Sequence, residues 1–185
     1  MALHLVRHGP ALVDRRVAAA EWRLSADAPD AVGQLRAADV LPETAAWFVS
    51  PEPKAIQTAD LLGPESYEVV DDLREQERTA TWLDDFEDRV SAALEQPELP
   101  AVLGWEPAVT TRQRVVDAVR SITVRSMLRG HDDVVLVGHG TAWTLLVAAL
   151  TDAAPDIDAW RAMGTPDHCV IDGAEVTIPW GSYSS

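Results

Sequence analysis

The stretch VVLVGHG, residues 134–140, is the most strand-like run in the chain and indicates its fold class. Four aliphatic residues lead into a Gly-His-Gly turn, a pattern typical of a strand buried on both faces of a parallel sheet. A second apolar run, from Ala2 to Arg7, ends at the Gly9-Pro10 pair and predicts a buried first strand with its exit turn. Both predicted strands therefore lead directly to a histidine.

Strands and helices alternate over the rest of the chain. Further strands are predicted at 47–50 and 67–70, and a hairpin joins 170–171 to 176–178 across Asp172-Gly173. Helices are predicted from Asp30 as the cap to about Leu41, from Pro53 to Gly63, from Leu83 to Leu94, from Thr110 or Thr111 to Gly130, from about Thr141 to Leu150, and near Ile157 to Met163. This order predicts an α/β layered fold with a mostly parallel sheet and an antiparallel edge strand.

Size and charge exclude several classes of function. A chain of 185 residues has the length of one domain, predicted to span 1–185. The net charge of −15 argues against nucleic acid or an anionic membrane as a partner. Cys169 is the only cysteine, so no intramolecular disulfide can form and no zinc-type Cys/His spacing occurs. With no signal-peptide pattern in the sequence, a cytoplasmic location is expected.

Reactive side chains follow the predicted strands. Arg7 and His8 end the first, Lys54 lies in the turn after the second, Glu75 follows the third, and His139 follows the fourth. Ligands of open α/β sheets bind at the carboxyl ends of the strands. The sequence therefore predicts two imidazoles, two cations and a carboxylate at one edge.

This set of groups suits phosphoryl transfer. The two cations and the first turn of the following helix can bind phosphate oxygens. A neutral imidazole can attack phosphorus, a second imidazole can donate to the equatorial oxygens, and a carboxylic acid can protonate the leaving alkoxide. A reaction through a phosphohistidine would use every one of these groups.

The chain resembles the histidine phosphatase superfamily, also called the phosphoglycerate mutase-like family, over most of its length. The resemblance rests on ordered motifs: LVRHG at 5–9, WRLS at 22–25, SPEPKAIQTA at 50–59, DLRE at 72–75 and LVGHGTA at 136–142. It implies a three-layer α/β/α fold and phosphoryl transfer without a metal or organic cofactor.

The resemblance also implies individual roles. His8 would be the nucleophile, Arg7, Lys54 and His139 would bind the phosphate of a small phosphorylated substrate, and Glu75 would be the proton donor, kept protonated by its surroundings. Glu106 is the alternative acid.

Three positions depart from the family pattern. Lys54 stands where arginine is usual and offers a point charge in place of a planar fork. Pro10 stands where many members carry an acid, and Asp14 stands where many carry an asparagine that helps to hold phosphate. Asp14 would repel phosphate unless it is protonated, paired with Arg15 or Arg16, or turned away.

The expected activity is hydrolysis of a phosphate monoester through a phosphohistidine on His8. A mutase that returns the phosphoryl group to the same substrate, a phosphatase acting on phosphohistidine in proteins, and a non-catalytic phosphate-binding module of the same fold remain alternatives. The chain is short for the insertions with which typical mutases of the family enclose substrate, so hydrolysis is favoured.

Several other side chains have no assigned role in this chemistry. His4, His131 and His168 are expected to be structural or solvated. Arg112 and Arg114 are expected to pair with the acidic surface. The alternative is contact with a second anionic group of the substrate, which at most one of them can make. Some of the tryptophans are candidates for the wall of a pocket for an apolar or aromatic leaving group: Trp22, Trp82 and Trp105.

Overall fold

A computed structural model of the chain describes residues 1–79 and 82–182 and contains a sheet between two layers of helices. The strands are β1 (Ala2–Arg7), β2 (Ala46–Val49), β3 (Glu68–Val69), β4 (Asp133–Gly138), β5 (Asp167–Asp172) and β6 (Glu175–Ile178). The helices are α1 (Ala28–Ala37), α2 (Pro53–Leu62), α3 (Phe86–Glu95), α4 (Ala108–Leu128), α5 (Gly140–Leu150) and α6 (Ile157–Ala162).

The sheet has the strand order β3-β2-β4-β1-β5-β6. The first four strands in this order are parallel, whereas β5 runs antiparallel to β1 and forms the predicted hairpin with β6. The expected mostly parallel sheet with an antiparallel edge is therefore confirmed. Its central pair is β1 and β4, in which Leu5 lies opposite Leu136 and Arg7 opposite Gly138.

Each face of the sheet buries apolar side chains against its own helices. On one face, α1 and α2 pack against the strands through a cluster that includes Val32, Ala59 and Val137. On the other face, α4 and α5 pack through a cluster that includes Val119 and Trp143. These two clusters give the three-layer α/β/α arrangement that the family resemblance implies, because burial of apolar surface on both faces stabilises the central sheet.

The longest run without a charged residue, 134–150, forms β4, a one-residue turn and α5. It is buried because both elements lie in the interior of the layered fold. Within 1–79 and 82–182, no helix has both the length and the apolar character needed to cross a bilayer.

The predicted bounds of α1 and α4 are wrong at their first residues. α1 starts at Ala28, with Asp27 at the cap position and Pro29 in the first turn, so Asp30 lies inside the helix. Proline suits this place because the first helical N–H groups have no intrahelical partner. α4 starts at Ala108, directly after Pro107.

Two of the predicted helices, α1 and α3, are also shorter than expected. α1 ends at Ala37 because Asp39 adopts a left-handed backbone with φ of 54°, which an α-helix cannot continue. α3 starts at Phe86 and not at Leu83, although Leu83 still packs beside its cluster.

His4 and His168 form a histidine pair within the sheet. Their rings stack with centroids 5.4 Å apart, and His4 Nδ1 lies 3.2 Å from His168 Nε2. Burial, with a smaller effect of His4, lowers the pKa of His168 from an ordinary 6.5 to about 4. Between these two pH values the unfolded chain binds a proton at His168 that the folded chain does not bind. The free energy of unfolding therefore falls as the pH is lowered from 6.5 towards 4.

We expect His168→Gln to reduce this loss of stability at acid pH. Lowering the pH from about 7 to about 4.5 should cost the wild type roughly 2–3 kcal/mol through His168, and the variant should lack that component. Urea unfolding at both pH values measures the difference. His131→Gln, in the turn before β4, is the matched control and should retain the wild-type loss. An equal loss in both variants would show that the histidine pair does not sense pH.

Candidate active site

The carboxyl ends of β1, β2 and β4 meet at one edge of the sheet. The strand pairing continues beyond the strands themselves, since the His8 N–H donates to the Gly138 carbonyl over 3.0 Å and the Ser50 N–H to the Val137 carbonyl over 2.9 Å. His8, Ser50 and His139 therefore lie side by side. A Cβ at Gly138 would lie 2.5 Å from Trp143, so glycine is required at that strand end.

His8 is buried and its ring is held in one tautomer. Nδ1 lies 2.7 Å from the carbonyl oxygen of Gly9. A carbonyl only accepts, so Nδ1 carries the proton, and Nε2 of the neutral ring keeps a free lone pair. Burial lowers the pKa of His8 well below its usual value, and the nearby charges of His139 and Lys54 lower it further. A neutral imidazole with an available Nε2 is a competent nucleophile.

His139 faces His8, with ring centroids 5.4 Å apart. Its Nε2 lies 2.6 Å from Ser50 Oγ, which also accepts the N–H of Glu52 over 3.3 Å. The same Nε2 also lies 3.5 Å from Glu52 Oε1. When the Ser50 hydroxyl donates to Nε2, the proton of the neutral ring is on Nδ1. Nδ1 is buried and has no hydrogen-bond partner among the described residues. Burial, followed by the charge of Lys54, also lowers the pKa of His139 well below its usual value.

Arg7 is fixed by main-chain carbonyls. Its Nη1 donates to the carbonyl oxygen of Met163 over 2.6 Å and to that of Gly164 over 3.3 Å. Its Nε is buried and has no partner within the described part of the chain. A Cβ at Gly140 would come within 3.4 Å of this Nε, so glycine lets the start of α5 approach Arg7. The arrangement leaves a cationic donor beside the two histidines.

Lys54 is buried in an ion pair that the sequence did not predict. Its ammonium group contacts the carboxylate of Glu52 and donates to the Ala19 carbonyl over 2.8 Å. Both charged side chains are almost fully buried, at 6% and 7% exposure. Lys54 is thus at the site, as expected, but its charge is neutralised by Glu52.

Glu75 lies at the N-terminus of α5. Its carboxylate accepts the N–H groups of Thr141 and Ala142, at 3.1 and 2.9 Å, and that of Gln76 at 2.9 Å. An anion is favoured at this end of a helix. The Glu75 N–H in turn donates to Glu52 over 2.8 Å. This hydrogen bond connects Glu75 to the ion pair of Glu52 and Lys54.

The pKa of Glu75 differs in direction from the expectation. Burial raises it, but the charge of Arg78, followed by smaller contributions from His139 and the Gln76 N–H, shifts the pKa below its usual value. The prediction that its surroundings keep Glu75 protonated is therefore wrong for the free protein. The residue is in place for proton transfer, but as a carboxylate.

Arg114 and Glu106 form an ion pair that holds the main chain next to Glu75. Arg114 pairs with Glu106 at 2.9 Å and donates to the carbonyl oxygens of Asp72, Arg74 and Glu75. Arg114 pairs with an acid as predicted, but its partner Glu106 is only 9% exposed and so is not part of the solvated surface. Arg114 does not line the active-site cavity. Glu106 is committed to this ion pair and to Thr111, which makes it unsuitable as the alternative acid.

Arg78 is a site residue that the sequence analysis missed. Its Nη2 donates to Thr141 Oγ1 over 2.7 Å and to Gln76 Oε1 over 3.1 Å. Its charge lies close enough to influence Glu75 and His139. No sequence pattern distinguishes it from the other arginines of this acidic region. It supplies a cation that Glu52 does not neutralise by direct contact.

The groups surround a cavity of about 640 Å³ that is lined by His8, His139, Arg7, Lys54 and Glu75 among others. Asp14 is turned towards Arg16, with contacts of 2.7 and 2.8 Å that lower its pKa to about 2, and it does not line this cavity. The described residues contain no group of three or more His, Cys, Asp or Glu side chains arranged to hold a metal ion.

Comparison with known proteins identifies similar folds and one family. The model of the histidine phosphatase superfamily (branch 1) matches residues 3–174. A search of curated proteins finds no match.

Three similar solved structures show the same fold. YhfR of Bacillus stearothermophilus is 24% identical with a TM-score of 0.71, over 98% of this chain and 96% of that one. The phosphoglycerate mutase of Bacillus anthracis is 17% identical with a TM-score of 0.75, over 100% and 94%. Mycobacterial hydrolase 1 is 22% identical with a TM-score of 0.71, over 91% and 90%.

Proposed function

Because the chain belongs to branch 1 of the histidine phosphatase superfamily, we propose that it hydrolyses a phosphate monoester through a phosphohistidine on His8. The observation that carries the proposal is the hydrogen bond from His8 Nδ1 to the Gly9 carbonyl. It leaves Nε2 as the nitrogen that attacks phosphorus. The lowered pKa of His8 favours the unprotonated state of this nitrogen at neutral pH.

The transferred group would be bound by donors that have no partner in the free site. Arg7 Nε and His139 Nδ1 are buried without partners among the described residues, and a phosphate oxygen can satisfy both. Buried donors without acceptors are costly, so their presence supports an anion as the ligand. Arg78 adds positive charge from the α5 side of the cavity.

The first half of the reaction forms the bond from His8 Nε2 to phosphorus and breaks the bond from phosphorus to the ester oxygen. The leaving oxygen takes a proton from the Glu75 carboxyl group. In the free protein this group is a carboxylate, so the proton must arrive with substrate. The negative charge of a bound phosphate would raise the pKa of Glu75, because like charges disfavour ionisation.

The second half reverses these roles. The Glu75 carboxylate takes a proton from water, the water oxygen attacks phosphorus, and the bond from phosphorus to Nε2 breaks. Inorganic phosphate leaves with the proton that Glu75 took from water, and His8 and Glu75 both return to their starting states. Acid and base are the same residue, as microscopic reversibility requires, and no cofactor takes part in either step.

Hydrolysis of p-nitrophenyl phosphate from about pH 4.5 to about 8, with and without EDTA, tests this proposal. We expect activity that EDTA does not remove. The mutase alternative needs a phosphate ester that carries a second hydroxyl, such as glycerol 1-phosphate, as substrate, since a mutase then releases an isomeric ester and a phosphatase releases inorganic phosphate. The Bacillus anthracis structure is covered over 94% of its length, so the expectation that this chain is too short for a mutase has no support.

The Lys54 pair favours one second candidate, a phosphate-binding module without turnover. Neutralisation of Lys54 by Glu52 removes a positive charge that would stabilise the phosphoryl group during transfer, while Arg7 and Arg78 still line the cavity and can bind phosphate. A module of this kind would be stabilised by phosphate, with a raised melting temperature, but would hydrolyse no ester at any pH.

A phosphohistidine protein phosphatase is tested by the same assay with a phosphohistidine peptide as substrate.

We expect Glu52→Gln to strengthen phosphate binding. The amide removes the charge that holds Lys54, so the dissociation constant for inorganic phosphate should fall by about three- to tenfold, more at low salt than at high salt. Isothermal titration calorimetry measures this constant. Glu21→Gln removes an equal charge from an exposed position and should have little effect. Unchanged or weaker binding in Glu52→Gln would mean that Lys54 is not held away from phosphate.

A further inference from the structure

A smaller cavity of about 210 Å³ adjoins the active site and is walled by four aromatic rings. We define the aromatic cavity by the residues that form its walls: Trp22, Trp82, Phe86 and Trp105. We propose that the aromatic cavity binds an aromatic leaving group of the substrate, so that the protein prefers aryl phosphates and related ring-bearing esters. This inference rests on the proposed function.

The aromatic cavity is continuous with the phosphate pocket. Five residues line both spaces: Val13, Ala19, Trp22, Arg78 and Phe86. A monoester with its phosphate at His8 therefore has a direct path along this shared wall for the rest of the molecule.

The cavity has the size and the wall geometry for a flat ring. An apolar cavity of about 150 Å³ is already sufficient to hold benzene. The rings of Trp22 and Trp82 are 6.5 Å apart and tilted by 34°, and those of Phe86 and Trp105 are 6.0 Å apart and tilted by 57°. These separations lie in the range of favourable aromatic contacts, and an inserted ring can add to them.

Two arginines hold the rings in position. The Arg15 guanidinium lies 4.1 Å from the centroid of the Trp82 ring. Arg78 lies 5.0 and 5.1 Å from the centroids of Phe86 and Trp105. Such cation–π contacts stabilise ring positions even where the rings are exposed. Trp82 and Phe86 are 37% and 36% exposed, which leaves apolar surface for a ligand to cover.

Trp105 adds a polar feature to the wall. The residue is 4% exposed, yet its indole N–H has no hydrogen-bond partner among the described residues. Buried indole N–H groups usually have one.

Two phosphonates that the protein cannot hydrolyse test the proposal. Isothermal titration calorimetry gives the dissociation constants of benzylphosphonate and methylphosphonate, which differ by one ring. We expect benzylphosphonate to bind at least about tenfold more tightly, because the ring is buried among apolar side chains. Trp82→Ala should reduce this preference to less than about threefold and leave methylphosphonate binding unchanged. Trp180→Ala removes a tryptophan that lines neither space and should keep the preference.

The outcomes separate this inference from the proposed function. Equal binding of the two phosphonates by the wild type, or a preference that survives in Trp82→Ala, would overturn the aromatic cavity as the leaving-group site and leave the phosphate site standing. Binding of neither phosphonate would overturn the phosphate site, and the leaving-group site with it.

Discussion

Replacement of His8 by alanine is expected to lower kcat for any phosphate ester by at least about 10³-fold, because no phosphohistidine can form. The fold should survive. The His8 ring makes one hydrogen bond, to the adjacent Gly9 carbonyl, while its main-chain N–H, which alanine retains, continues the pairing with β4. Steady-state hydrolysis, circular dichroism and the melting temperature measure the two parts of this prediction.

His131→Ala is the matched control for the His8 variant. It removes an imidazole from the turn before β4, outside the active-site cavity, and should leave kcat within about twofold of the wild type. If the His8 variant keeps more than about 5% of the activity while folded, another residue is the nucleophile.

Replacement of Glu75 by glutamine should slow esters selectively, according to how much their leaving group needs a proton. An alkyl phosphate should lose about 10²- to 10⁴-fold in kcat/KM, the range of general acid catalysis. p-Nitrophenyl phosphate releases a stabilised anion and should lose less than about tenfold in its first step. The side-chain oxygen of glutamine can still accept the N–H groups at the start of α5, so the helix terminus keeps a partner.

The control for Glu75→Gln lies two residues away. Glu77→Gln makes the same change in a side chain that is 62% exposed, and both substrates should keep wild-type rates. Because both esters share the second step, the comparison is made on kcat/KM, which reports the first step, and an equal loss of kcat/KM for both esters in Glu75→Gln would argue for a structural role at the N-terminus of α5 and against proton donation.

Most of the sheet was predictable because its strands are nearly continuous apolar runs. The stretch 134–140 and the segment from Ala2 to Arg7 became β4 and β1 with the predicted bounds or close to them. Helix ends were harder where backbone conformation decided them. The left-handed φ of Asp39 ends α1. Aspartate can adopt this conformation, but its presence alone does not predict that a helix ends there.

The candidate site was predictable only in part, for a physical reason. His8 and His139 follow strands that pair in register, so the sequence placed them together. The Glu52 pairing of Lys54, the carboxylate state of Glu75 and the position of Arg78 depend on contacts between segments far apart in sequence. Burial and neighbouring charge set these states, and neither can be read from a local pattern.

Lys54 is the only lysine of the chain and so carries its only side-chain amine. An acylating reagent requires that amine to be uncharged and accessible, whereas the Glu52 pair keeps it buried. The rate at which one acyl group is added at Lys54, followed by mass spectrometry, therefore reports how often the pair opens. Comparing that rate with and without inorganic phosphate would show whether a bound anion changes how often the pair opens, with no engineered probe.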